Sequence, residues 1–280
     1  MKRILLPLQG FAAEINAVNL AFSLAELSKA AVLAMHSKEA EDKDRKSSLD
    51  RLMDHAKALS TAMNVALDIR EVDARHPADA ILEVAGKESI DLIVMTAARS
   101  RLHKQLLGSA SRDVVRKGKT PTLLVVSWQE EFKERHEPVL RKILVPLGEL
   151  SEDIAALRLA AALKKGSAAR DAELIAFNAT ILPAIVPMTA TDLPEIRRGK
   201  ERFRQAIDKF MHETGTQLTV KQTPARTPEE ATIEFANQEN VDLIILGGRR
   251  RPGPLGMFLG ATCFKIATKA LAAVVLIYAP

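Results

Sequence analysis

Short runs of aliphatic and β-branched residues alternate along this chain with longer stretches whose apolar positions recur every three to four residues. That is the pattern of a parallel sheet covered by helices on both faces. In the first half the runs predict strands over residues 3–8, 31–36, 65–72, 91–96 and 122–127. Four of the five are nearly continuous apolar stretches, as burial from both sides requires. Between them, 12–29 carries Val18, Phe22 and Ala25 at helical spacing, and 47–63 carries Leu52, Ala56 and Leu59. Residues 77–87 and 109–117 complete four helices, with Pro77 suited to a first turn, where its missing N–H has no partner to lose.

The second half repeats the scheme, with strands predicted over 142–147, 173–178, 217–222, 242–246 and 273–278. Ile4-Leu5-Leu6-Pro7-Leu8 returns 139 residues later as Ile143-Leu144-Val145-Pro146-Leu147, and Asp91-Leu92-Ile93-Val94 returns 151 residues later as Asp242-Leu243-Ile244-Ile245. So long a period means two whole modules rather than a solenoid. The drift of twelve residues is what surface insertions allow. The largest change is 178–194, which holds Pro183, Pro187 and Pro194 before a charged helix over 195–213; a surface loop is expected there. The expected domains are 1–128 and 142–280, joined by a charged linker over 129–141. Trp128 either plugs the seam between modules or anchors the linker.

Composition narrows the class. Hydrophobic residues make up 47% of the chain, enough for two cores, and no apolar run nears the ~20 residues of a membrane span. Met1-Lys2-Arg3 has the charge of a secretory leader, but the apolar stretch breaks at Pro7 and Gln9, so a cytoplasmic protein is expected. Cys263, the single cysteine, cannot form an internal disulfide and reads as a small core residue. The net charge of +5 is thin, and with 4% aromatic residues and interspersed signs a nucleic-acid partner is not expected. The six histidines show no metal-ligand spacing, although His36 and His103 lie near the first crevice. Gly118-Lys119-Thr120 ends like a P-loop but closes a helix, and Asp113 stands where that motif needs glycine. No Ser-His-Asp set, nucleophile elbow or carboxylate pair can be placed, so an enzyme is not expected.

In such sheets ligands bind at the carboxyl ends of the strands where the direction of winding reverses, here between the first and fourth strands of each half. This selects Leu8 and Gln9 with 95–109, and Leu147 and Gly148 with 246–262. The segment from Leu246 to Thr262 is glycine-rich and basic, and lies between a buried strand and a helix opening near Gly260. Backbone N–H groups bared by glycine, a helix N-terminus and arginines make a phosphate cradle. The same residues also fit a plain turn whose glycines serve backbone geometry and whose arginines meet water.

These features together resemble a tandem universal stress protein, through Lys2-Arg3-Ile4-Leu5-Leu6-Pro7-Leu8, Lys142-Ile143-Leu144-Val145-Pro146-Leu147, the two Asp-Leu-Ile strands and Leu107-Gly108-Ser109. The resemblance covers almost the whole chain. It implies two Rossmann-like domains of the HUP type, each a five-stranded parallel sheet of order 3-2-1-4-5. It also implies ATP or another adenine nucleotide bound through Gly-x2-Gly-x9-Gly-Ser/Thr after the fourth strand, and an acidic residue after the first. In the second half Gly247 and Gly260 keep the spacing of thirteen, with Gly248 beside the first. Arg250 replaces the middle glycine, Ala261 stands at the hydroxyl position, and Thr262 follows one place later. In the first half Gly108 and Ser109 remain, Thr96 takes the first glycine position, Arg99 follows in the same segment, and one residue is missing. The acidic position is Gln9 in one half and Gly148 in the other.

Two functions fit: a nucleotide-responsive stress or regulatory module, at most a slow ATP hydrolase, or an interaction scaffold that keeps the degraded loop only as a turn. The last strands, at 123–126 and 274–277, are apolar edges. In the family resembled such edges pair modules about a twofold axis, which implies an internal pseudo-dimer here. A homodimer and an unidentified protein partner are further expectations.

Overall fold

The computed structural model describes the chain except for residues 38–42, 74–75, 98–108, 127–139, 149, 166–168, 190–192, 249–259 and 279–280. Trp128 and nearly all of the expected linker therefore lie outside the described residues. Two compact units are present: Met1–Ser127 with Gly248–Phe258 and Val275–Pro280, and Trp128–Gly247 with Leu259–Val274.

The first unit runs β1 (Arg3–Leu8), a 3-10 turn (Ala12–Glu14), α1 (Ile15–Ser28), β2 (Ala31–Ser37), α2 (Lys43–Ala62), β3 (Leu67–Val72), α3 (Pro77–Lys87), β4 (Leu92–Thr96), α4 (Ser109–Lys117) and β5 (Thr122–Val126). Its strands are parallel in the order β3-β2-β1-β4-β5. β1 is central, and Ile4 to Leu6 are wholly buried. β3, the one strand without a continuous apolar run, is mostly exposed at the edge. Pro77 takes the first turn of α3 as expected.

The second half of the chain carries β6 (Lys142–Pro146), α5 (Leu150–Lys164), β7 (Glu173–Ile181), α6 (Pro194–Thr214), β8 (Thr219–Ala225), α7 (Pro228–Gln238) and β9 (Leu243–Gly248); α8 (Gly260–Lys269) and β10 (Ala273–Tyr278) follow. The order is β10-β9-β6-β7-β8, the same winding with β6 in the place of β1. Phe177 of β7 stacks on Phe235 of α7 with ring centroids 4.7 Å apart, joining one helix face to the sheet. The loop expected from Asn178 starts later, because Ala179, Thr180 and Ile181 continue the strand against Thr223, Pro224 and Ala225. Pro224 is tolerated because β8 is an edge strand.

The repeated aspartates explain why the repeat is legible. Asp242 Oδ2 accepts the N–H groups of Arg141 (2.8 Å) and Lys142 (2.9 Å), tying the start of β6 to β9. Asp91 Oδ2 does the same at the start of β1, accepting from Lys2 and from Arg3 at 3.1 Å. These bonds, the one from Lys2 first, hold the Asp91 carboxyl below its usual range. A second repeated pair sits beside it: Arg3 with Glu88 at 2.6 Å, and Lys142 with Glu239 at 2.7 Å.

Candidate functional site

In the first unit the turn after β1 is occupied by the protein itself. Gln9, Gly10 and Phe11 donate their N–H groups to Glu14 Oε2 at 2.9, 3.0 and 3.1 Å, and Glu14 is only 4% exposed. Successive N–H groups of this kind form an anion-binding nest, and here the anion is a side chain. Arg45 of α2 closes the turn from above. Its Nε and Nη2 donate to the Gln9 carbonyl at 3.2 and 3.0 Å, and its guanidinium lies 4.8 Å from the centre of the Phe11 ring. Gly10 has φ +82°, and a Cβ there would stand 2.4 Å from the Arg45 carbonyl oxygen. Burial pushes the Glu14 carboxyl up to about 7, against the three N–H bonds and the charge of Arg45.

Of the residues expected to line this first crevice, Leu8 is buried at the end of β1 and Gln9 belongs to the closed turn. Thr96 ends β4 half-buried, its Oγ1 enclosed and without a hydrogen bond. Ser109 is exposed at the start of α4. Arg99, His103 and Gly108 lie outside the described residues. His36 stands one residue before the end of β2, opposite Leu8 of β1.

The corresponding turn of the second unit is built differently. Leu147 is buried, and its N–H bonds the Phe177 carbonyl at 2.8 Å while Asn178 Nδ2 donates to its carbonyl at 2.9 Å. Gly148 donates its N–H to Asp153 Oδ2 at 2.6 Å. Among the described residues a Cβ on Gly148 would meet only that oxygen, 3.9 Å away, so a side chain has room there. At the end of β9 the Gly247 carbonyl meets Cys263 Sγ of α8 at 3.8 Å. Burial, aided by Asp153, pushes this thiol up to about 11, so it stays protonated at neutral pH.

Thr262 faces away from this mouth. Its hydroxyl reaches Glu229 Oε2 on α7 at 3.4 Å, and Lys265 one turn on pairs with Glu229 Oε1. Burial works to raise the Glu229 carboxyl, but Lys265, a backbone N–H and Thr262 outweigh it and hold it low. The residue that α8 presents to the end of β9 is thus Cys263. Gly248 packs under Tyr278, whose ring would stand 2.6 Å from an added Cβ. Gly260 opens α8 with Ala261 next to it, and Arg250 lies outside the described residues.

Sequence reasoning missed Glu14, Arg45 and Asp153. A signal existed, since Glu14 and Asp153 stand 139 residues apart, the same offset that relates Leu8 to Leu147. Both restore a carboxylate beside the turn whose acidic position is Gln9 in one half and Gly148 in the other.

The arrangement suits a ligand unequally in the two units. In the first turn the Gln9, Gly10 and Phe11 N–H groups are engaged by Glu14, and Gly10 leaves no room for a side chain. The second has room for a side chain at Gly148, a strand-end carbonyl at Gly247 and a helix that starts on glycine. Asp153 and the protonated Cys263 thiol border this end of β9 and the turn after β6.

Comparison with known proteins bears on this. The family described as "Universal stress protein family" matches residues 1–126 and 140–277. No curated protein matches the sequence. Among solved structures, a universal stress protein from Archaeoglobus fulgidus DSM 4304 is similar at 16% identity and TM-score 0.64, over 98% of this chain and 97% of that one. A putative universal stress protein from Pseudomonas aeruginosa UCBPP-PA14 is similar at 17% and 0.63, over 99% and 93%. The cytoplasmic domain of a prokaryotic cation chloride cotransporter is similar at 15% and 0.58, over 99% and 95%. At such identities the likeness establishes the fold alone.

Proposed function

The chain belongs to the universal stress protein family as a tandem member, and from that premise we propose that it is a regulatory module in which only the second half takes an adenine nucleotide. The contrast between the two turns supports this reading: the first is filled by Glu14 and roofed by Arg45, while among the described residues Gly148 has room for a side chain. Leu147, Gly148 and Gly247 would border the nucleoside. The glycine pair Gly247 and Gly260, with Arg250 between them, would serve the phosphates. The first half then acts as a closed partner domain, and occupancy of the second changes the surface shown to another protein. Leu8, Gln9, Thr96, Arg99, Gly108 and Ser109 contribute no ligand contact on this reading.

A second reading has its own support. Thr262 is turned to Glu229, and Asp153 sits on the Gly148 N–H, so the loop can serve as a turn in a scaffold that binds no nucleotide. Mass spectrometry of small molecules that co-purify with the chain tests between them. An adenine nucleotide, reduced in amount by Arg250→Glu, supports the first reading; its absence, with no uptake of added ATP or AMP, leaves the scaffold.

The same proposal places the domain limits at 1–128 and 142–280, sets the chain in the cytoplasm, and pairs the last strands within one chain. Among the described residues no helix is long and apolar enough to cross a membrane. Cleavage in the 129–141 linker followed by gel filtration tests the pairing: the halves co-elute if the strands pair and separate if they do not.

A further inference from the structure

The crossover from β7 to α6 carries twelve residues, 182–193, where the first unit joins β2 to α2 with five, 38–42. The fold therefore does not need the extra length. Among the described residues, nine large hydrophobic side chains are exposed. Four of them, Ile181, Ile185, Met188 and Leu193, fall in this short stretch, with Ile185 93% exposed. Scattered exposed apolar residues need no explanation, whereas a cluster does.

The stretch is also fixed in place. Arg226, just past β8, donates from Nη1 to the carbonyls of Leu182 (3.1 Å) and Pro183, and from Nη2 to Val186 at 2.8 Å. Leu182 is buried and bonds the Ala225 carbonyl at 2.9 Å, and Val186 N–H closes a turn on Pro183 at 2.9 Å. A guanidinium engaged with three carbonyls of one loop holds Ile185 outward in a single arrangement, which lowers the ordering cost of binding.

The helix that follows supplies charge. From Pro194 to Gln205 stand Arg197, Arg198, Lys200, Arg202 and Arg204 against Glu195 and Glu201. Arg198 Nε bonds the Pro194 carbonyl at 3.3 Å, which turns its guanidinium back toward the end of α6 that the loop feeds. Arg198, Glu201, Arg202 and Gln205 line a surface recess of about 380 Å³. Cations near a helix N-terminus oppose the macrodipole, so helix stability does not account for them.

We propose that the pinned 182–189 tip and the adjoining basic face of α6 form a docking surface for a segment of another protein that carries apolar side chains beside Asp or Glu. Like charge on this face disfavours a second copy, and a recess that mixes Arg198 and Arg202 with Glu201 and Gln205 suits discrete side chains rather than a continuous anionic lipid surface. This inference stands whether or not nucleotide binds. The test selects a displayed library of random twelve-residue peptides on the intact chain, then measures fluorescein-labelled winners by polarisation. The expected winners join an aliphatic or aromatic residue to Asp or Glu. They weaken at least tenfold with Ile185→Asp and with Arg198→Glu, but not with Leu271→Asp at an exposed apolar site elsewhere. Circular dichroism melts confirm that each variant folds. The proposal is overturned if nothing is enriched to a Kd below 100 μM, or if winners lack acidic residues or ignore Ile185→Asp. It is equally overturned if Ile185→Asp instead abolishes binding to phosphatidylserine vesicles or concentration-dependent dimerisation.

Discussion

Gly148 and Asp153 are joined by one 2.6 Å hydrogen bond, and among the described residues Gly148 has room for a side chain, whereas Gly10 in the first half is pressed against the Arg45 backbone. Two copies of one turn have thus diverged, one closed around its own carboxylate and one left accessible.

This difference has a direct consequence for stability. Gly10→Ala forces a side chain into a left-handed conformation and against a backbone oxygen, and should cost about 3 kcal/mol. Gly148→Ala meets no obstacle and should stay within about 0.5 kcal/mol of the parent. Thermal melts of both variants check the contrast; equal losses would mean that the two turns are not built as described.

Glu14 makes stability depend on pH. Its folded value of about 7 lies above the ordinary 4.5, so the folded chain keeps a proton that the unfolded chain releases between those values. The contribution is complete below about 4.5 and is lost as pH rises through 7, a change of at most about 3 kcal/mol. Glu14→Gln removes the titration. Urea unfolding at pH 5 and 7.5 should show the parent weakening relative to this variant, and parallel behaviour of the two would contradict the burial of an ionisable group here.

Much of this fold was legible because its strands are nearly continuous apolar runs and its clamps repeat. Asp91 and Asp242 announce themselves as copies, and both tie down the start of a central strand. The closed turn was not legible. Arg45 lies 36 residues from Gln9 in sequence, and nothing in its surroundings on α2 marks it as a roof. The direction of Thr262 was not legible either: it stands two residues after Gly260, but its helical phase relative to α7 turns its hydroxyl to Glu229. The end of β7 was read as loop because β-propensity falls at Asn178, and pairing with β8 overrides that preference.

Gly248 should be intolerant of any side chain. The Tyr278 ring lies where a Cβ would go, and Tyr278 is fully buried. Gly248→Ala should cost about 2 kcal/mol by overpacking, and Tyr278→Ala in the same chain should relieve the clash so that the two losses fail to add. Strict additivity in denaturant unfolding would contradict this contact.

Cys263 should be slow to react. With its thiol pushed up to about 11, almost none is thiolate at pH 8, and the thiolate is the reactive form. Ellman's reagent should modify the native chain far more slowly than the unfolded chain. Modification at the unfolded rate would show the thiol to be accessible and ionised.

The central claim, that one half is closed and the other takes the ligand, is tested most directly by titrating nucleotide-free protein with ATP in a calorimeter. The account predicts one site per chain, abolished by Gly148→Leu with the melting temperature unchanged. Two sites per chain, no saturable binding below about 1 mM, where ΔG is near −4.1 kcal/mol, or full binding by Gly148→Leu would contradict it.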